Sequence, residues 1–391
     1  MAHRTALTGN DAAAYALKQV NPDVAAVYPI TPQTELMHKF ASYVADGDVD
    51  TELVLVESEH SAMSATLSAS LAGARSITAT SSCGLALMWE LLYVASGARA
   101  PIVMPEVNRA LSAPINIHCD HSDTMGARDS GWMQIYAENA QESYDNILQA
   151  FRIAEHPDVK LPIMPCLDGF ILSHTIEALE VLDDEKVKAF VGEYKPENSL
   201  LNVDKPVTFG AFALQDTYFE YKRQQVEAMR NAVKVIQDVG KEYGEISGRS
   251  YDLFETYMMD DAEVVIVGIG STMGTVKFVV NQLRKEGIKA GVLKIRVFRP
   301  APWDKVADAL SGAKVVGVMD RSLSFGLEGG PLFNELRSFC RGKKFAMCDF
   351  IYGLGGRDIG VTHISDIIRG LHKAAKSGTE PEMLTFVNLR E

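Results

Sequence analysis

The sequence predicts an α/β protein with two domains, each built on a parallel sheet that helices cover. The first 170 residues alternate short apolar runs with helical patterns, a long charged helix follows, and a second alternation fills the C-terminal third. Strands that alternate with helices form parallel sheets, because each crossover needs a connection long enough for a helix. We expect domains at residues 1–240 and 258–391, joined by a linker at 241–257.

In the first domain, strand candidates are short apolar runs bounded by polar residues, proline or glycine. They lie at residues 24–28, 52–56, 76–80, 101–105 and 160–166. Helix candidates lie at residues 11–19, 33–44, 59–72, 84–95 and 141–155. Residues 106–137 interrupt this rhythm and are rich in His, Asp, Asn and Arg, which indicates a functional loop, since long loops in compact domains usually carry function.

The second half begins with one long charged helix, predicted at residues 215–243. Further strands are predicted at residues 263–267, 290–297, 315–319 and 345–350. The helices between and after them are predicted at residues 273–286, 306–310 and 364–375. This pattern again indicates a parallel sheet with helices on its faces.

Composition excludes several classes of partner. The 391 residues are 47% hydrophobic and carry a formal net charge of −13, which argues against binding nucleic acid or an anionic membrane. No apolar run reaches the roughly 18 residues that a membrane span needs. The N-terminus carries no apolar signal segment, so a cytoplasmic location is expected.

The cysteines are widely spaced and form no C-x-x-C pair. Their odd number predicts reduced thiols and argues against an iron–sulfur cluster held by this chain alone. They are Cys83, Cys119, Cys166, Cys340 and Cys348.

The first candidate site segment is residues 28–34, at the carboxyl end of the first predicted strand. Thr31 can cap the next helix, with Pro32 in the first helical position. Such a helix end presents free N–H groups and attracts anions. The alternative is that Thr31 is only a cap.

The second candidate is the segment around Ser58, which has the pattern of a helix cap flanked by Glu57 and Glu59. Acidic residues in a first turn commonly do no more than complement the helix dipole. The functional alternative is a buried glutamate positioned to share a proton with a ring nitrogen. His60 alone is more typical of a structural residue.

Two further candidates follow strands. Residues 80–84 are small and permit the close approach of a ligand or partner, although ordinary tight packing explains them equally well. Arg109 is suited to bind a carboxylate in a bidentate manner, and its alternative is a surface salt bridge.

Two other segments suggest different chemistry. Residues 118–123 contain His118, Cys119 and His121, but their spacing fits no standard zinc pattern, so we favour a polar loop near a ligand or subunit contact. Residues 268–274 follow a strand and open a helix, as dinucleotide sites do. Their third glycine comes one residue late and no acid follows the next strand, so nicotinamide binding is not favoured. They remain the feature that would support a rival class, a non-catalytic nucleotide-binding or scaffold subunit.

Taken together, these segments resemble the alpha subunit of pyruvate:ferredoxin oxidoreductase and related 2-oxoacid:ferredoxin oxidoreductases. The resemblance covers nearly the whole chain and depends on several motifs in a fixed order. They are YPITPQT from Tyr28, ESEHSAMSA from Glu57, GLALMWE from Gly84, NRALSAP from Asn108, DHSD from Asp120, RDSGW from Arg128 and LDGF from Leu167. Cys83 departs from the family pattern, in which a glutamine is expected.

The resemblance implies a pyrimidine-type thiamine-diphosphate-binding domain followed by a transketolase C-terminal-like domain. It implies that Glu59 pairs with the aminopyrimidine ring nitrogen N1′ of thiamine diphosphate and so helps the cofactor lose its reactive proton. It implies that Thr31 and Arg109 hold the substrate carboxylate. Other cofactor contacts are expected from Pro29, Ile30, Ser82 and Cys83, and no metal site is expected in this chain.

The resemblance also implies partner subunits. The chain contains no G-D-G segment followed by paired asparagines, the pattern that holds magnesium diphosphate in thiamine enzymes. A beta subunit is therefore expected to bring Mg²⁺ and a [4Fe-4S] cluster, with gamma- and delta-type subunits bringing further clusters. Coenzyme A would accept the acyl group, ferredoxin would accept the electrons, and the cofactor would lie across the alpha–beta interface.

The substrate is expected to be pyruvate, a monocarboxylate with a small tail, since Thr31 is small and neutral. A branched acid, 2-oxoisovalerate, is the main alternative. A dianion such as oxalate is expected to favour a second cation at this position, which the segment lacks.

Overall fold

The computed structural model describes residues 3–390, whose strands form an N-terminal sheet, a C-terminal sheet and one antiparallel pair. The strands are β1 (His3–Thr8), β2 (Val24–Val27), β3 (Glu52–Leu55), β4 (Ser76–Ile77), β5 (Glu106–Asn108), β6 (Met133–Tyr136), β7 (Ile163–Asp168), β8 (Ile176–Val181), β9 (Phe254–Tyr257), β10 (Val264–Ile269), β11 (Ala290–Ile295), β12 (Val297–Arg299), β13 (Val315–Asp320), β14 (Ala346–Ile351) and β15 (Leu384–Phe386).

The helices alternate with these strands through both halves of the described chain. They are α1 (Gly9–Val20), α2 (Thr34–Ala45), α3 (Glu59–Leu71), α4 (Ser82–Leu87), α5 (Trp89–Gly97), α6 (Ser122–Gly126), α7 (Ala140–Ala154), α8 (Asp184–Val191), α9 (Tyr218–Ser247), α10 (Thr272–Lys285), α11 (Trp303–Ala309), α12 (Pro331–Phe339) and α13 (Val361–Ser377), with a short 3-10 turn at Leu354–Gly356. Within residues 3–390, no helix is both long enough and apolar enough to cross a membrane.

The N-terminal sheet is parallel through its centre, as the alternation predicts. Strands β3, β2 and β4 are parallel neighbours, and β6, β7 and β5 form a second parallel set. Single bridges through Val103 and Thr80 connect the two sets. The carboxyl ends of all these strands therefore lie along one edge, where ligands bind in parallel α/β sheets.

The C-terminal sheet has the order β15-β14-β13-β10-β11-β9 and is parallel except for β9. Strand β12 leaves this half of the chain and pairs antiparallel with β6 of the N-terminal sheet. The two halves therefore share a sheet as well as a packed surface. The predicted α/β class with two parallel sheets is confirmed.

Helix α7 lies at the centre of the N-terminal half, where it packs against α1, α9, β7 and β8. Almost all its residues are buried, including Asp145, whose carboxylate accepts hydrogen bonds from Arg249 and the hydroxyl groups of Tyr243 and Tyr251. A buried carboxylate needs such partners because it has lost its water. This network fixes the C-terminal end of the long helix α9 against α7. The predicted long helix is confirmed, with both ends shifted by a few residues.

Two element predictions were wrong at the edge that carries the candidate site. The strand predicted at residues 101–105 makes only two isolated bridges, both at Val103, and the ladder forms at β5 instead. Pro101 and Pro105 lack the N–H groups that a ladder requires. The helix predicted at residues 84–95 is divided into α4 and α5 at Met88, which has a ψ of −1° and a fully buried side chain.

Several elements were missed because their sequences lack a clear period. Strands β1 and β8 pair only with each other, and β6 and β12 pair across the two halves of the chain. Helices α8 and α12 were also not predicted. Pairing between segments that are distant in sequence leaves little local signal.

Candidate active site

The candidate site lies along the carboxyl edge of the N-terminal sheet. Thr31 follows β2, Glu59 follows β3, Ser82 follows β4 and Arg109 directly follows β5. Because these strands are parallel within their sets and the sets are bridged, the segments meet at one edge. The structure thus brings together the segments that the sequence singled out.

Glu59 begins helix α3 and is buried, with only 8% of its surface exposed. The preceding Ser58 caps the helix, its hydroxyl oxygen accepting a hydrogen bond from the Ser61 N–H at 3.2 Å, as predicted. Glu57 is exposed and accepts a hydrogen bond from the Ser61 hydroxyl. Among residues 3–390, no group donates a hydrogen bond to the Glu59 carboxylate, so its oxygens are available to a ligand.

Gly84 provides the close packing that the small residues of this segment predicted. A Cβ atom at Gly84 would lie 2.3 Å from the Thr80 hydroxyl oxygen and 2.9 Å from a Glu59 carboxylate oxygen. Any larger residue would displace one of these groups. The buried Thr80 hydroxyl has no hydrogen-bond partner among the described residues. A buried carboxylate and an unpaired hydroxyl at one strand edge fit the polar edge of a bound heterocycle.

The predicted helix cap at Thr31 was wrong. Helix α2 begins at Thr34 with Gln33 as its N-cap, because the chain first makes a turn in which the N–H groups of Gln33 and Thr34 donate to the Ile30 carbonyl. The residue before a proline disfavours helical geometry, which keeps Thr31 in this turn. Thr31 is exposed, and its carbonyl oxygen points to the next candidate residue.

Arg109 is buried and lies beside Thr31, so the surface salt bridge considered for it does not form. Its Nη1 donates to the Thr31 carbonyl at 2.9 Å, and its Nε donates to the Asn116 carbonyl at 2.9 Å. These two carbonyls fix the plane of the guanidinium without neutralising its charge. The remaining donors can bind a carboxylate.

Asp123 organises the backbone beneath Arg109. One of its carboxylate oxygens accepts hydrogen bonds from the backbone N–H groups of Arg109 at 2.8 Å and Ser82 at 3.1 Å. The other accepts from the Asn108 side chain at 2.9 Å. Burial raises the pKa of Asp123, and hydrogen bonds from Arg109 and Asn108 oppose that effect.

Glu106 lies fully buried beside Asp123. Neither of its two carboxyl oxygens forms a hydrogen bond with another described residue. Burial, followed by the neighbouring Asp123 charge, raises the pKa of Glu106 well above its ordinary value. The raised pKa favours the protonated, neutral form of Glu106, which avoids two adjacent buried negative charges.

Ser82 and Cys83 form the start of α4 above Asp123. Ser82 is buried, has a φ of +49°, and donates its hydroxyl to the Ala110 carbonyl at 2.5 Å. The Cys83 thiol lies 3.4 Å from the Ser112 hydroxyl, a contact that, with help from the Arg109 charge, lowers the pKa of Cys83. Pro29 is exposed and Ile30 half-buried on the loop that leads to Thr31.

Asp168, at the end of β7, connects the predicted polar loop to the C-terminal half of the chain, because it contacts residues of both. His121 Nε2 lies 2.8 Å from one oxygen of the fully buried Asp168, and Arg321 donates to the other at 3.1 Å. Ser271 donates both its backbone N–H and its hydroxyl to the same carboxylate. Burial raises the pKa of Asp168, but His121 and Arg321 outweigh burial and lower it below its ordinary value.

This contact accounts for two patterns that had suggested other chemistry. Ser271 belongs to the glycine segment at residues 268–274, so a carboxylate of the chain itself accepts hydrogen bonds at the position where a dinucleotide phosphate would bind. Ligand atoms of Cys119, His121 and Asp168 lie within 4.8 Å of one another, which is close enough for a metal. The guanidinium of Arg321 already supplies positive charge to that cluster.

Sequence reasoning did not identify Glu106 and Asn116 as parts of this edge, and it included Asp123 only as a member of the polar loop at residues 118–123. Asp123 and Asn116 lie in the polar loop that was predicted to be functional, but their partners depend on its folding. Glu106 was placed outside a strand. A carboxylate that interrupts an otherwise apolar strand was the one available signal for it.

The fold is that of a thiamine-diphosphate-type α/β protein. Residues 15–241 match the family described as pyruvate flavodoxin/ferredoxin oxidoreductase, thiamine-diphosphate-binding, and residues 262–364 match pyruvate:ferredoxin oxidoreductase core domain II. The chain therefore belongs to the pyruvate flavodoxin/ferredoxin oxidoreductase family, as the resemblance predicted.

Relatives with assigned names align over almost the whole chain. Pyruvate synthase subunit PorA of Thermotoga maritima is 55% identical over 92% of this chain and 92% of its own length. The same subunit of Methanocaldococcus jannaschii is 49% identical over 98% of each chain. Ketoisovalerate oxidoreductase subunit VorA of Pyrococcus abyssi is 45% identical over 98% of this chain and 97% of its own.

Two solved structures share the fold. A 2-oxoglutarate:ferredoxin oxidoreductase from Magnetococcus marinus, solved with 2-oxoglutarate, coenzyme A and succinyl-CoA bound, superimposes with a TM-score of 0.76 at 19% identity. That alignment covers 94% of this chain and 65% of the solved chain. A split-gene transketolase superimposes with a TM-score of 0.53 at 10% identity, covering 94% of this chain and 98% of that one. The predicted thiamine-diphosphate and transketolase-like fold is confirmed.

Proposed function

We propose that this chain is the alpha subunit of a pyruvate:ferredoxin oxidoreductase. The enzyme would decarboxylate pyruvate oxidatively to acetyl-CoA and CO2 and pass the electrons to ferredoxin. The observation that carries the proposal is the buried Glu59 carboxylate, free of internal donors, at the strand edge of a thiamine-diphosphate-binding domain.

Glu59 is proposed to hold the aminopyrimidine ring through its N1′ atom. Its packing against Gly84 and Thr80 fixes the carboxylate in one place, and its burial excludes competing water. A carboxyl group at this position can share a proton with the ring nitrogen. Thiamine diphosphate supplies, when bound, the electron sink that decarboxylation requires.

Arg109 and Thr31 are proposed to bind the substrate carboxylate. The Arg109 guanidinium is oriented by the Thr31 and Asn116 carbonyls, which leaves donors for a bidentate contact. Thr31 is exposed and small, so it can approach the same carboxylate. Pro29, Ile30, Ser82 and Cys83 are proposed to line the cofactor pocket, since they flank Thr31 and Glu59 along the same edge.

Partner subunits are proposed to complete the site. Helices α4 and α5 adjoin Glu59 and expose Leu87, Trp89 and Val94, each with more than a third of its surface accessible, which supports a subunit contact there. A beta subunit would bring Mg²⁺ and a [4Fe-4S] cluster, and gamma- and delta-type subunits would bring further clusters. Coenzyme A would accept the acyl group. We propose a cytoplasmic location, which the free thiols support.

The division into domains at residues 1–240 and 258–391 also remains a proposal. Helix α9 runs on to Ser247 and so contains the first part of the proposed linker at 241–257.

Replacing Glu59 with glutamine tests the proposal. The change preserves size and packing but removes the shared proton, so turnover of the assembled complex is expected to fall by roughly 10²–10⁴-fold. The measurement is pyruvate-dependent reduction of a viologen dye, with complex assembly checked by gel filtration.

Glu57→Gln is the matched control. Glu57 lies two residues earlier and is exposed, so this variant is expected to retain full turnover. Near-normal turnover of Glu59→Gln in an assembled complex would remove Glu59 from catalysis.

A panel of 2-oxoacids distinguishes pyruvate from its alternative. Relatives of 55% and 49% identity are named pyruvate synthase subunits, and one of 45% identity is named a ketoisovalerate subunit. We expect kcat/KM for pyruvate to exceed that for 2-oxoisovalerate by at least about tenfold, because a branched tail that fits its pocket poorly lowers kcat/KM by about this factor. The reverse order would assign the complex to branched acids.

A further inference from the structure

The loop that carries Arg109 is held by the opposite half of the chain. The Asn116 side chain donates to the Gly355 carbonyl at 3.0 Å, and the Gly355 N–H donates back to the Asp120 carboxylate at 3.1 Å. The Gly356 N–H donates to the Cys119 carbonyl at 2.7 Å. Three hydrogen bonds therefore fasten residues 116–120 to one glycine turn at residues 353–356.

The same loop residues orient the Arg109 guanidinium. Asn116 accepts from Arg109 Nε with its backbone carbonyl, while its side-chain oxygen accepts from the His118 N–H at 2.7 Å. The His118 carbonyl accepts from the N–H of Ala110, the residue after Arg109, at 3.0 Å. Asn116 and His118 thus contact the glycine turn on one side and the Arg109 segment on the other.

The turn requires glycine for two separate reasons. Gly353, Gly355 and Gly356 have φ values of +65°, +58° and +77°, a region that other residues adopt only with strain. A Cβ atom on Gly356 would lie 2.3 Å from the Cβ of His118, and one on Gly355 would lie 2.5 Å from the Asn116 amide nitrogen. The glycines let the turn approach the loop backbone closely enough to form the three hydrogen bonds.

We propose that the glycine turn at residues 353–356 is a positioning element for substrate binding, which sets the Arg109 guanidinium through Asn116 and His118. The proposal rests on the proposed role of Arg109 in binding the oxoacid carboxylate. It assigns the C-terminal half a part in substrate recognition. Displacing the turn should weaken oxoacid binding and leave the Glu59 chemistry intact.

Gly356→Ala in the assembled complex tests this. His118 presents its Cβ, which cannot rotate away, so the loop itself must shift. We expect KM for pyruvate to rise about tenfold while kcat at saturating pyruvate stays within about twofold, because the loss concerns the carboxylate contact. The matched control is Gly378→Ala, which has a similar φ of +69° but no neighbour within 4 Å of the new Cβ.

The outcomes separate this proposal from the proposed site. A raised KM in Gly356→Ala with an unchanged Gly378→Ala supports the positioning role. An unchanged KM in Gly356→Ala, together with a raised KM in Arg109→Ala, overturns the positioning role but leaves the site assignment intact. An unchanged KM in both variants overturns the assignment of Arg109, and the positioning proposal with it.

Asn116→Ala decides the question if Gly356→Ala does not assemble. This variant removes the side chain that bridges to Gly355 but keeps the backbone carbonyl that accepts from Arg109. A KM raised severalfold with kcat retained supports the proposal. A KM equal to that of the unaltered complex overturns it.

Discussion

Replacing Asp168 with asparagine is expected to weaken the contact between the two halves of the chain. The carboxylate belongs to the N-terminal sheet and accepts hydrogen bonds from Ser271 and Arg321 of the C-terminal half. Asparagine has nearly the same volume, so the change leaves no cavity. The cost therefore comes from lost charge and hydrogen bonds alone.

Its magnitude follows from the burial of the partner. Arg321 is only 3% exposed, and among residues 3–390 Asp168 is the one carboxylate within ion-pair distance of it, so without Asp168 the Arg321 charge stays buried and unpaired. Removing one member of such a pair costs about 3–5 kcal/mol. With a urea dependence of at least about 3 kcal/mol/M for a chain of this length, the unfolding midpoint should fall by up to about 1.7 M.

Urea unfolding of the purified chain, followed by intrinsic fluorescence, measures this shift. Glu286→Gln is the matched control, because Glu286 also pairs with an arginine, Arg369, but is half-exposed. An exposed pair contributes about 0–1 kcal/mol, so this variant should unfold near the wild-type midpoint. Equal midpoints for both variants would refute the argument from burial.

The same contact predicts a pH dependence. The pKa of Asp168 is lower in the folded chain than its ordinary value of 3.8. A carboxylate whose pKa is lower in the folded chain than in the unfolded chain contributes its full stabilisation above the unfolded pKa. That stabilisation is lost as the pH falls through the folded pKa. The midpoint difference between wild type and Asp168→Asn should therefore be constant above about pH 5 and shrink in stronger acid. A difference that grows in acid would contradict the assigned charge state.

Two further substitutions test the substrate-binding edge. Arg109→Ala removes a charged hydrogen-bond donor that contributes about 1.5–3 kcal/mol. Steady-state kinetics should therefore show that KM for pyruvate rises by about 10- to 100-fold. An unchanged KM would exclude a contact between Arg109 and the substrate. Asp123→Asn removes the charge beneath the Arg109 and Ser82 backbones, so KM should rise about tenfold in a complex that still assembles. A KM for Asp123→Asn within twofold of wild type would show that the Asp123 charge is not needed to hold this backbone.

The sequence located the segments of the site more reliably than the roles of their residues. Ser58 was predicted as a cap and is one, because a cap depends only on its own helix. Glu57 and Glu59 flank it and have the same side chain, yet one is exposed and the other buried. Their difference depends on Gly84 and Thr80, which pack against Glu59 from another strand end. No pattern within residues 57–61 contains that information.

For Arg109 the predicted strand was wrong, but the prediction that this residue follows the carboxyl end of a strand was correct. The strand was predicted at residues 101–105, but the ladder forms at residues 106–108 and ends immediately before Arg109. The apolar run at 101–105 is buried beside the sheet, so its side chains are shielded from water. Its two prolines have no N–H groups to donate to a strand ladder. Hydrophobic pattern alone cannot distinguish a buried strand from buried chain next to one.

The glycine segment at residues 268–274 shows why local motifs need their three-dimensional surroundings. A strand, a glycine turn and a helix start form an anion-binding position whichever anion occupies it. Here Ser271 donates its hydrogen bonds to Asp168, a carboxylate about a hundred residues earlier in the chain. Gly270 leaves room for that carboxylate, since a Cβ atom on Gly270 would lie only 3.0 Å from the Asp168 oxygens. The same physical preference that binds a nucleotide phosphate in other folds therefore joins two halves of one chain. The late third glycine already argued against a nicotinamide cofactor, and the position of Asp168 shows which anion the glycine turn binds instead.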